Sequence, residues 1–290
     1  MNNKKLLALY GLKWNPFLPD IPPEALWQPP PVEAFLFRLE NLVMDGGFAL
    51  ISGEPGLGKS KLLQLVSNRL NQIEDVTVGV MERPQSSLAD FYRELGTLFE
   101  VNLTPSNRYG GFKALRERWN EHIKRTLFRP VLLIDEAQEM ATICMNELRL
   151  LGSAHFDSRC LLTTVISGDN RLPGRFRQSD LVSLGSRIRV RNVIDPYEKP
   201  ALMDYLENAM KQAGADHLMS SVLKETLVEH ASGNLRVLNN MAVELLTKAA
   251  HEELPQLDEK LFLSTFSHGK SQVNRVLSVS MQKISHPQLI

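Results

Sequence analysis

A glycine-rich stretch ending in Lys-Ser is the part of this sequence best suited to chemistry on phosphate groups. The apolar segment Phe48–Ile51 precedes it, and a helix-forming segment, Lys61–Leu70, follows directly. Glycines let the backbone turn so that successive N–H groups point at phosphate oxygens, and the N-terminus of the next helix adds a favourable dipole. The sequence predicts a triphosphate cradle made of Gly53, Glu54, Pro55, Gly56, Leu57, Gly58, Lys59, Ser60 and Lys61.

Two side chains of this cradle have chemistry of their own. Lys59 is expected to reach the β- and γ-phosphates of ATP, and the Ser60 hydroxyl is expected to bind Mg2+. The alternative is a glycine turn with a solvated lysine. That alternative does not account for the strand before the glycines and the helix after them.

Two adjacent carboxylates follow a second apolar segment. Val131–Ile134 is typical of a buried strand, and Asp135 and Glu136 come directly after it. Asp135 is expected to hold the Mg2+ shell, largely through water, while Glu136 orients and deprotonates the water that attacks the γ-phosphate. An acidic helix cap after a strand is the alternative, and the phosphate cradle in the same chain argues against it.

The apolar pattern alternates between strand-like and helix-like segments. Continuous apolar strands interleaved with helices predict an α/β fold with a parallel sheet covered by helices on both faces. In such folds the ligand lies at the carboxyl ends of the strands. The predicted strands are Phe48–Ile51, Val76–Met81, Val131–Ile134 and Leu161–Ile166, and the predicted helices are Val32–Val43, Lys59–Leu70, Leu88–Glu100, Phe112–Phe128 and Thr142–Ser153.

The sequence divides into four segments. Residues 1–45 are predicted to form a lead-in strap and a helix, with turns and exposed aromatics over Leu6–Pro31. Residues 46–195 form the predicted ATPase core. Residues 196–266 form a small helical lid, and residues 267–290 are expected to be a mobile or partner-binding tail. The predicted lid helices are Pro200–Gln212, Met219–Ala231 and Asn234–Ala250.

Composition places few limits on the class of protein. The chain has 290 residues, 43% of them hydrophobic, and its apolar runs are too short to cross a membrane. With no signal peptide at the N-terminus, a cytoplasmic location without membrane contact is expected. Cys144 and Cys160 lack metal-ligand spacing, so they are expected to be buried free thiols.

The charges sum to zero but are sorted along the chain. Residues Val101–Pro130 contain seven basic and two acidic side chains. A locally basic surface can bind a polyanion even when the whole chain is neutral. Lys113, Arg116 and Lys124 share roughly one helical face and are the predicted contacts to duplex DNA, with a solvated helix face as the alternative.

The motifs Gly53–Ser60, Leu132–Gln138 and Asn146–Leu151 together resemble a known family. They are similar to AAA+ ATPases of the ExeA type and to the transposon relatives TniB and TnsC, and more distantly to IstB and MuB. The resemblance extends from Tyr10–Phe17 to about Ala250. It implies a Mg2+-dependent ATPase, slow and stimulated by assembly, that binds ATP at subunit boundaries in a homo-oligomeric ring or filament.

The resemblance also implies two residues near the γ-phosphate on the core. Asp169 matches the first sensor position, where related proteins tend to have Gln, and Asn170 is the alternative. A carboxylate there would be repelled unless it is protonated, bridged by water or turned away, so Asp169 could equally be a plain turn residue. Arg187 resembles an arginine finger inserted into a neighbouring subunit's site, whereas alternation with Arg189 and Arg191 favours an ordinary basic edge strand.

Outside the core, the resemblance implies three more nucleotide-binding residues. Arg236, at the start of the last lid helix, matches the second sensor that reaches the γ-phosphate. A pair with a nearby acid such as Glu229 is the alternative. Asn15 and Phe17 match the segment that lies near the adenine, and Phe17 could equally be a core-packing aromatic.

The resemblance implies a function in DNA transposition. The chain is expected to assemble on duplex DNA with ATP bound, without reading its sequence, to recruit or activate a transposase and to dissociate on hydrolysis. ExeA-type secretion proteins usually continue into a membrane span and a cell-wall-binding region, whereas this chain stops after the lid. The alternatives are a soluble secretion or assembly ATPase with a protein partner, a nucleotide-switched scaffold, and a DNA-loading initiator.

Overall fold

The chain forms two compact units in a computed structural model that describes residues 3–84, 87–103 and 107–266. One unit is Gln28–Pro196, and the other combines Met1–Trp27 with Tyr197–Ile290. The helices are α1 (Asn3–Tyr10), α2 (Pro30–Asp45), α3 (Lys59–Asn71), α4 (Leu88–Leu98), α5 (Arg108–Thr126), α6 (Thr142–Gly152), α7 (Arg171–Arg175), α8 (Val182–Gly185), α9 (Lys199–Ala213), α10 (Ser221–Ala231), α11 (Leu235–His251) and α12 (Glu259–Phe266). The strands are β1 (Gly47–Gly53), β2 (Val78–Met81), β3 (Val131–Ile134), β4 (Ser153–Ala154), β5 (Arg159–Cys160), β6 (Thr163–Gly168) and β7 (Ile188–Ile194).

The first unit is built on a five-stranded parallel sheet in the order β2-β3-β6-β1-β7. This confirms the predicted α/β fold with helices flanking a parallel sheet. All seven residues of β1 and all four of β3 are buried, as expected for strands covered on both faces. β7 lies at the sheet edge, and its side chains alternate between buried and exposed. Arg189 and Arg191 lie on this edge strand, and Arg187 immediately precedes it.

The register of the sheet brings three strand ends to one edge. Ser52 of β1 pairs with Gly168 of β6, and Ile134 of β3 pairs with Ile166 of β6. Because all these strands are parallel, the residues that follow them meet at the same carboxyl edge. The phosphate cradle, the two acids and the first sensor position therefore lie on adjacent strand ends.

Helix α5 begins earlier than the sequence indicates. We predicted Phe112–Phe128, and the helix spans Arg108–Thr126. Two glycines, Gly110 and Gly111, lower the helix propensity of its first turn. The Asn107 side chain compensates because its Oδ1 accepts a hydrogen bond from the Gly110 N–H at 2.8 Å, which caps the helix.

A buried carboxylate connects three helices of this unit. Glu147 of α6 is only 2% exposed. It accepts hydrogen bonds from the Tyr92 hydroxyl of α4 at 2.5 Å and from Arg108 Nε of α5 at 3.1 Å. Pairing of this kind offsets the cost of burying a charge.

A short hairpin, β4–β5, follows α6 and was not predicted from the sequence. Its tip holds three successive non-glycine residues with positive φ: His155 at 49°, Phe156 at 57° and Asp157 at 65°. The Phe156 side chain is fully exposed. The hairpin pairs Ser153 with Cys160, so its residues form a sheet separate from the main one.

The second unit is helical. The three predicted lid helices are present as α9, α10 and α11, and α12 follows them. The turns predicted over Leu6–Pro31 are found only between α1 and α2, and the prediction that its aromatics are exposed was wrong. Residues Asn3–Tyr10 form α1, Phe17 is 3% exposed, and Trp27 packs edge-on against Tyr197 and Tyr205.

The N-terminal residues belong to this unit because they supply apolar surface to its core. Leu6, Leu12 and Phe17 pack in the same buried cluster as Leu202 and Leu238. A helix of eight residues is only marginally stable by itself in water, and burial against the lid supplies the missing stabilisation.

The two units divide the predicted 1–45 lead-in between them, at Trp27. The predicted tail, residues 267–290, lies outside the described residues, so its role stays a prediction. Cys144 is buried and Cys160 half-buried, both as free thiols. Among the described residues, no helix is both long enough and apolar enough to span a bilayer.

Candidate nucleotide-binding site

The phosphate cradle is a tight loop between β1 and α3. Gly56 and Gly58 have φ values of 90° and 98°, in the left-handed region that favours glycine. Gly58 caps the N-terminus of α3, which begins at Lys59. Gly53 has a different reason to be glycine, since an added Cβ would come within 2.5 Å of the Ile194 carbonyl oxygen on β7.

The Lys59 ammonium group is drawn into this loop. The residue is 6% exposed, and its Nζ donates hydrogen bonds to the carbonyl oxygens of Gly53 and Glu54, both at 3.0 Å. A buried ammonium requires such partners because desolvation is costly. The loop therefore presents a positive charge on a fixed stem at the edge of the sheet.

The acids after β3 are oriented by the adjacent strand. Asp135 Oδ1 accepts a hydrogen bond from the buried Ser167 hydroxyl of β6 at 3.1 Å and another from the Glu136 N–H at 2.9 Å. These contacts fix one carboxylate oxygen of Asp135. The Ser60 hydroxyl in the first turn of α3 and the Asp135 carboxylate are the hard oxygen ligands that Mg2+ prefers, so this donor set fits the predicted metal.

Glu136 has a less common backbone conformation. Its φ of 48° places it in the left-handed region, and its side chain is exposed. A single turn of 3-10 helix, Ala137–Glu139, follows it. Within that turn, Gln138 Nε2 donates a hydrogen bond to the Glu136 carboxylate at 2.5 Å.

The Asp169 carboxylate is engaged by its own turn. Its Oδ1 accepts a hydrogen bond from the Arg171 N–H at 2.9 Å, and its Oδ2 accepts one from Arg171 Nε at 2.8 Å. The other end of the Arg171 guanidinium pairs with Glu139 at 2.7 Å. This arrangement favours the turn-residue alternative for Asp169. Asn170, the alternative sensor, is exposed at the start of α7.

Arg187 is paired within its own chain. Its guanidinium donates hydrogen bonds to the Ser183 carbonyl and to Asp157 Oδ2 at the tip of the β4–β5 hairpin. Hydrogen bonds from Ser153 and Arg187 hold the pKa of Asp157 below its usual value. Arg189 lies 3.8 Å from Asp45, and Arg191 donates to the Gly185 carbonyl oxygen at 3.0 Å.

The remaining predicted nucleotide contacts belong to the helical unit. Arg236 is exposed in the first turn of α11, and its N–H donates to Asn234 Oδ1 at 3.0 Å. Glu229, its suggested partner, instead accepts from Lys199 at 2.9 Å. Asn15 is buried, and its Oδ1 accepts the Phe17 N–H at 3.1 Å. Phe17 packs into the helical core, which favours its core-packing alternative.

The three predicted DNA contacts have different surroundings. Lys124 is exposed, and Lys113 is exposed and lies 3.8 Å from Glu117. Arg116 instead caps the end of α6, donating to the carbonyl oxygens of Leu150 at 3.2 Å, Leu151 at 3.0 Å and Ser153. Burial lowers the Arg116 pKa. Arg116 therefore has a structural role that the helical face did not reveal.

Gln138 and Arg175 were absent from the residues predicted for the site. Arg175 Nη1 donates to the Gln138 carbonyl oxygen at 2.7 Å, and its Nη2 donates to the Met140 carbonyl oxygen at 3.0 Å. Gln138 lies two residues after Glu136 in sequence, which was the available signal. Arg175 reaches the turn that follows the acids only through folding of a distant segment.

The part of the chain that holds the cradle and the two acids is similar to known proteins. Residues 43–176 match the AAA domain family, a segment that includes the cradle, both acids and Asp169. General secretion pathway protein A of Aeromonas hydrophila is 26% identical over 235 residues, 79% of this chain and 42% of that protein. The chain thus spans less than half the length of this curated relative.

Solved structures show the same fold. The ORC2 protein of Aeropyrum pernix, in ADPNP–ADP complexes, has a TM-score of 0.67 at 16% identity, covering 87% of this chain and 71% of its own. Drosophila ORC bound to DNA has a TM-score of 0.64 at 16% identity, covering 94% of this chain and 68% of its own. The fold is therefore that of AAA+ P-loop ATPases. The resemblance to TniB and TnsC stays a prediction.

Proposed function

We propose that this chain, whose residues 43–176 form an AAA domain, binds ATP with Mg2+ and hydrolyses it to ADP and phosphate. One observation carries the proposal: a glycine loop with a buried lysine follows β1 and a pair of acids follows β3, on the two sides of β6 at the carboxyl edge of one parallel sheet. That edge is where α/β folds bind their ligands.

Each residue has a distinct role in the proposed reaction. Backbone N–H groups of the cradle and the Lys59 ammonium bind the phosphates. Ser60 and Asp135 would hold Mg2+, which neutralises charge on the phosphates when bound. Glu136 orients the attacking water and accepts its proton. Asp169, Arg236, Asn15 and Phe17 remain proposed nucleotide contacts that require direct testing.

We further propose that a homo-oligomer completes the site, with Arg187 supplied by a neighbouring copy. A guanidinium neutralises charge that develops on the transferred phosphoryl group. In the isolated chain Arg187 is paired with Asp157, so assembly would have to exchange this partner for a phosphate. Turnover that depends on assembly is the expected consequence.

The proposed work of the ATPase is regulation of transposition on duplex DNA. Two observations support DNA as the partner: Lys113 and Lys124 are exposed on α5, and proteins of the same fold have been solved with DNA, as with Drosophila ORC. Recruitment of a transposase is the finer part of the proposal and rests on the motif resemblance.

A protein partner is the second candidate, favoured by the likeness to General secretion pathway protein A. In that case the chain would drive secretion or assembly of an envelope component. It would then bind duplex DNA no better than an unrelated protein of similar charge, and its turnover would respond to a protein instead.

Turnover measurements with and without duplex DNA separate these candidates. ATP hydrolysis and nucleotide-dependent DNA retention would be measured at two salt concentrations, with Lys59→Ala as the variant that lacks the phosphate-binding cation. DNA stimulation that weakens steeply with salt supports the DNA proposal. Hydrolysis indifferent to DNA supports the protein-partner candidate, and wild-type protein without any hydrolysis contradicts the ATPase proposal itself.

A further inference from the structure

The side-chain amide of Gln138 lies between the predicted catalytic acid and the end of β6. Its Nε2 donates a hydrogen bond to Glu136 Oε2 at 2.5 Å, and its Oε1 accepts one from the Asp169 N–H at 3.1 Å. One carboxamide therefore links a side chain that follows β3 to a backbone group that follows β6.

The orientation of this amide is fixed by chemistry. A backbone N–H can only donate, so the oxygen of the carboxamide must face Asp169. The NH2 group is then left facing the Glu136 carboxylate, which can only accept when ionised. A flipped amide would lose both hydrogen bonds at once. The Glu136 carboxylate thus accepts from the Gln138 NH2 group, and the Asp169 N–H at the end of β6 sets the direction of that group.

The carboxamide of Gln138 lies close to the backbone of β6. A Cβ at Gly168 would lie 2.5 Å from Gln138 Oε1, so a side chain there would displace the carboxamide from this position. The backbone of the turn is held as well, because Arg175 donates to the carbonyl oxygens of Gln138 and Met140. Arg171 adds a second connection by bridging Asp169 and Glu139.

We propose that Gln138 is a positioning residue for ATP hydrolysis, holding the Glu136 carboxylate at a fixed direction relative to the end of β6. This inference rests on the proposed ATPase function. The Glu136 side chain is exposed, and without the hydrogen bond from Gln138 it would adopt several rotamers in water. A general base must lie within hydrogen-bond reach of the attacking water, and a small misplacement costs roughly 100-fold in rate.

Two substitutions separate positioning from structure. Gln138→Met keeps the length of the side chain but removes both hydrogen bonds. Gln138→Glu keeps the shape, and one oxygen can still accept from Asp169, but the other faces the Glu136 carboxylate. Two ionised carboxylates at that distance repel each other, so Gln138→Glu pushes Glu136 away from the direction that the amide sets.

The experiment measures kcat, KM and the affinity for ATP at about pH 8 for wild type and both variants. We expect Gln138→Met to lose about 30- to 100-fold in kcat with affinity within about threefold. Gln138→Glu should lose at least as much kcat, because the two facing carboxylates repel each other. The control is Gln178→Met, an exposed glutamine of the same unit, which should match wild type.

Each outcome decides the question. Wild-type kcat in Gln138→Met overturns the inference, and so does a loss of affinity equal to the loss of kcat. If Gln138→Met fails to fold by thermal unfolding, the kcat of Gln138→Glu decides instead, and a wild-type kcat in that variant overturns the inference. If Glu136→Gln abolishes the turnover that wild type shows, the ATPase proposal is supported separately. If wild type shows no turnover, the ATPase proposal and the role of Gln138 are both overturned.

Discussion

Single residues of the site are held by neighbours on the next strand. Ser167 of β6 orients Asp135 after β3, and Gln138 links Glu136 to the Asp169 N–H. Catalytic groups supported in this way are already positioned before a ligand arrives, which lowers the entropic cost of reaction. The roles proposed for the two acids can therefore be tested separately.

Replacing Glu136 by Gln should abolish turnover and preserve nucleotide binding. The amide oxygen can still accept from Gln138, but it cannot take a proton from water, so we expect kcat to fall by about 100- to 10,000-fold. Steady-state hydrolysis and ATP affinity would be measured together. Glu139→Gln on the same turn is the matched control, and equal losses in both variants would contradict the assignment.

The sequence predicted the residues of this site better than their contacts. Glycines, a lysine and paired acids have local signatures, because the chemistry of phosphate binding demands particular residue types at short spacing. Two ion pairs, Asp169 with Arg171 and Arg187 with Asp157, depend on loops whose conformations have no such signature in the sequence. Contacts between distant segments follow only from the folded chain.

At the scale of elements, arginine and glutamate side chains join helices to one another. Arg116 of α5 caps the carbonyl groups at the end of α6, and Glu147 of α6 binds Tyr92 of α4 and Arg108 of α5. These contacts hold the helices that cover the sheet beside the two acids. Their contributions should appear in stability more than in nucleotide affinity.

Replacing Arg116 by Ala should destabilise the fold by about 1–3 kcal/mol, because the last carbonyl groups of α6 lose a charged donor. Urea unfolding measures this loss. Lys113→Ala, an exposed neighbour on the same helix, should change the free energy of unfolding by less than about 0.5 kcal/mol. If both variants retain wild-type stability, the capping role is wrong. If Arg116→Ala weakens DNA binding without destabilisation, the original DNA assignment is favoured.

Alkaline pH should weaken the contact between α4 and α6. Burial and the hydrogen bond to Glu147 raise the Tyr92 pKa well above its ordinary value of 10.0. Because the folded pKa exceeds the unfolded one, the stabilisation is complete below about pH 10 and is lost as pH rises toward the folded pKa. The free energy of unfolding should therefore fall more steeply above pH 10 in wild type than in Tyr92→Phe. Parallel curves would contradict this prediction.

At the scale of the whole molecule, the chain is a sheet-based unit and a helical unit, each with its own core. The predicted sheet and lid helices came from periodicity. Periodicity could not assign residues 1–27 to the helical unit, because that assignment depends on burial against helices far later in the chain. The proposed homo-oligomer adds a further level that a single chain does not contain.

Mixing two inactive variants tests the proposed homo-oligomer. Arg187→Ala should retain ATP affinity and lose about 1,000-fold or more in assembly-stimulated turnover. Glu136→Gln should be inactive for a different reason. When the two are mixed, some neighbouring pairs combine an intact Glu136 with an intact Arg187, so part of the turnover should return. Absence of recovery, with Arg189→Ala behaving as wild type, would show that Arg187 does not act across a subunit boundary.

The position of β1 in the sheet has a consequence for synthesis of the protein. Gly47 pairs with Thr163 and Phe48 pairs with Ile188, so the strand that carries the cradle lies between partners encoded far downstream. A nascent chain leaving the ribosome therefore holds this apolar strand unpaired until β6 and β7 have emerged. Such strands aggregate readily, so β1 is prone to aggregation until its downstream partners have been synthesised.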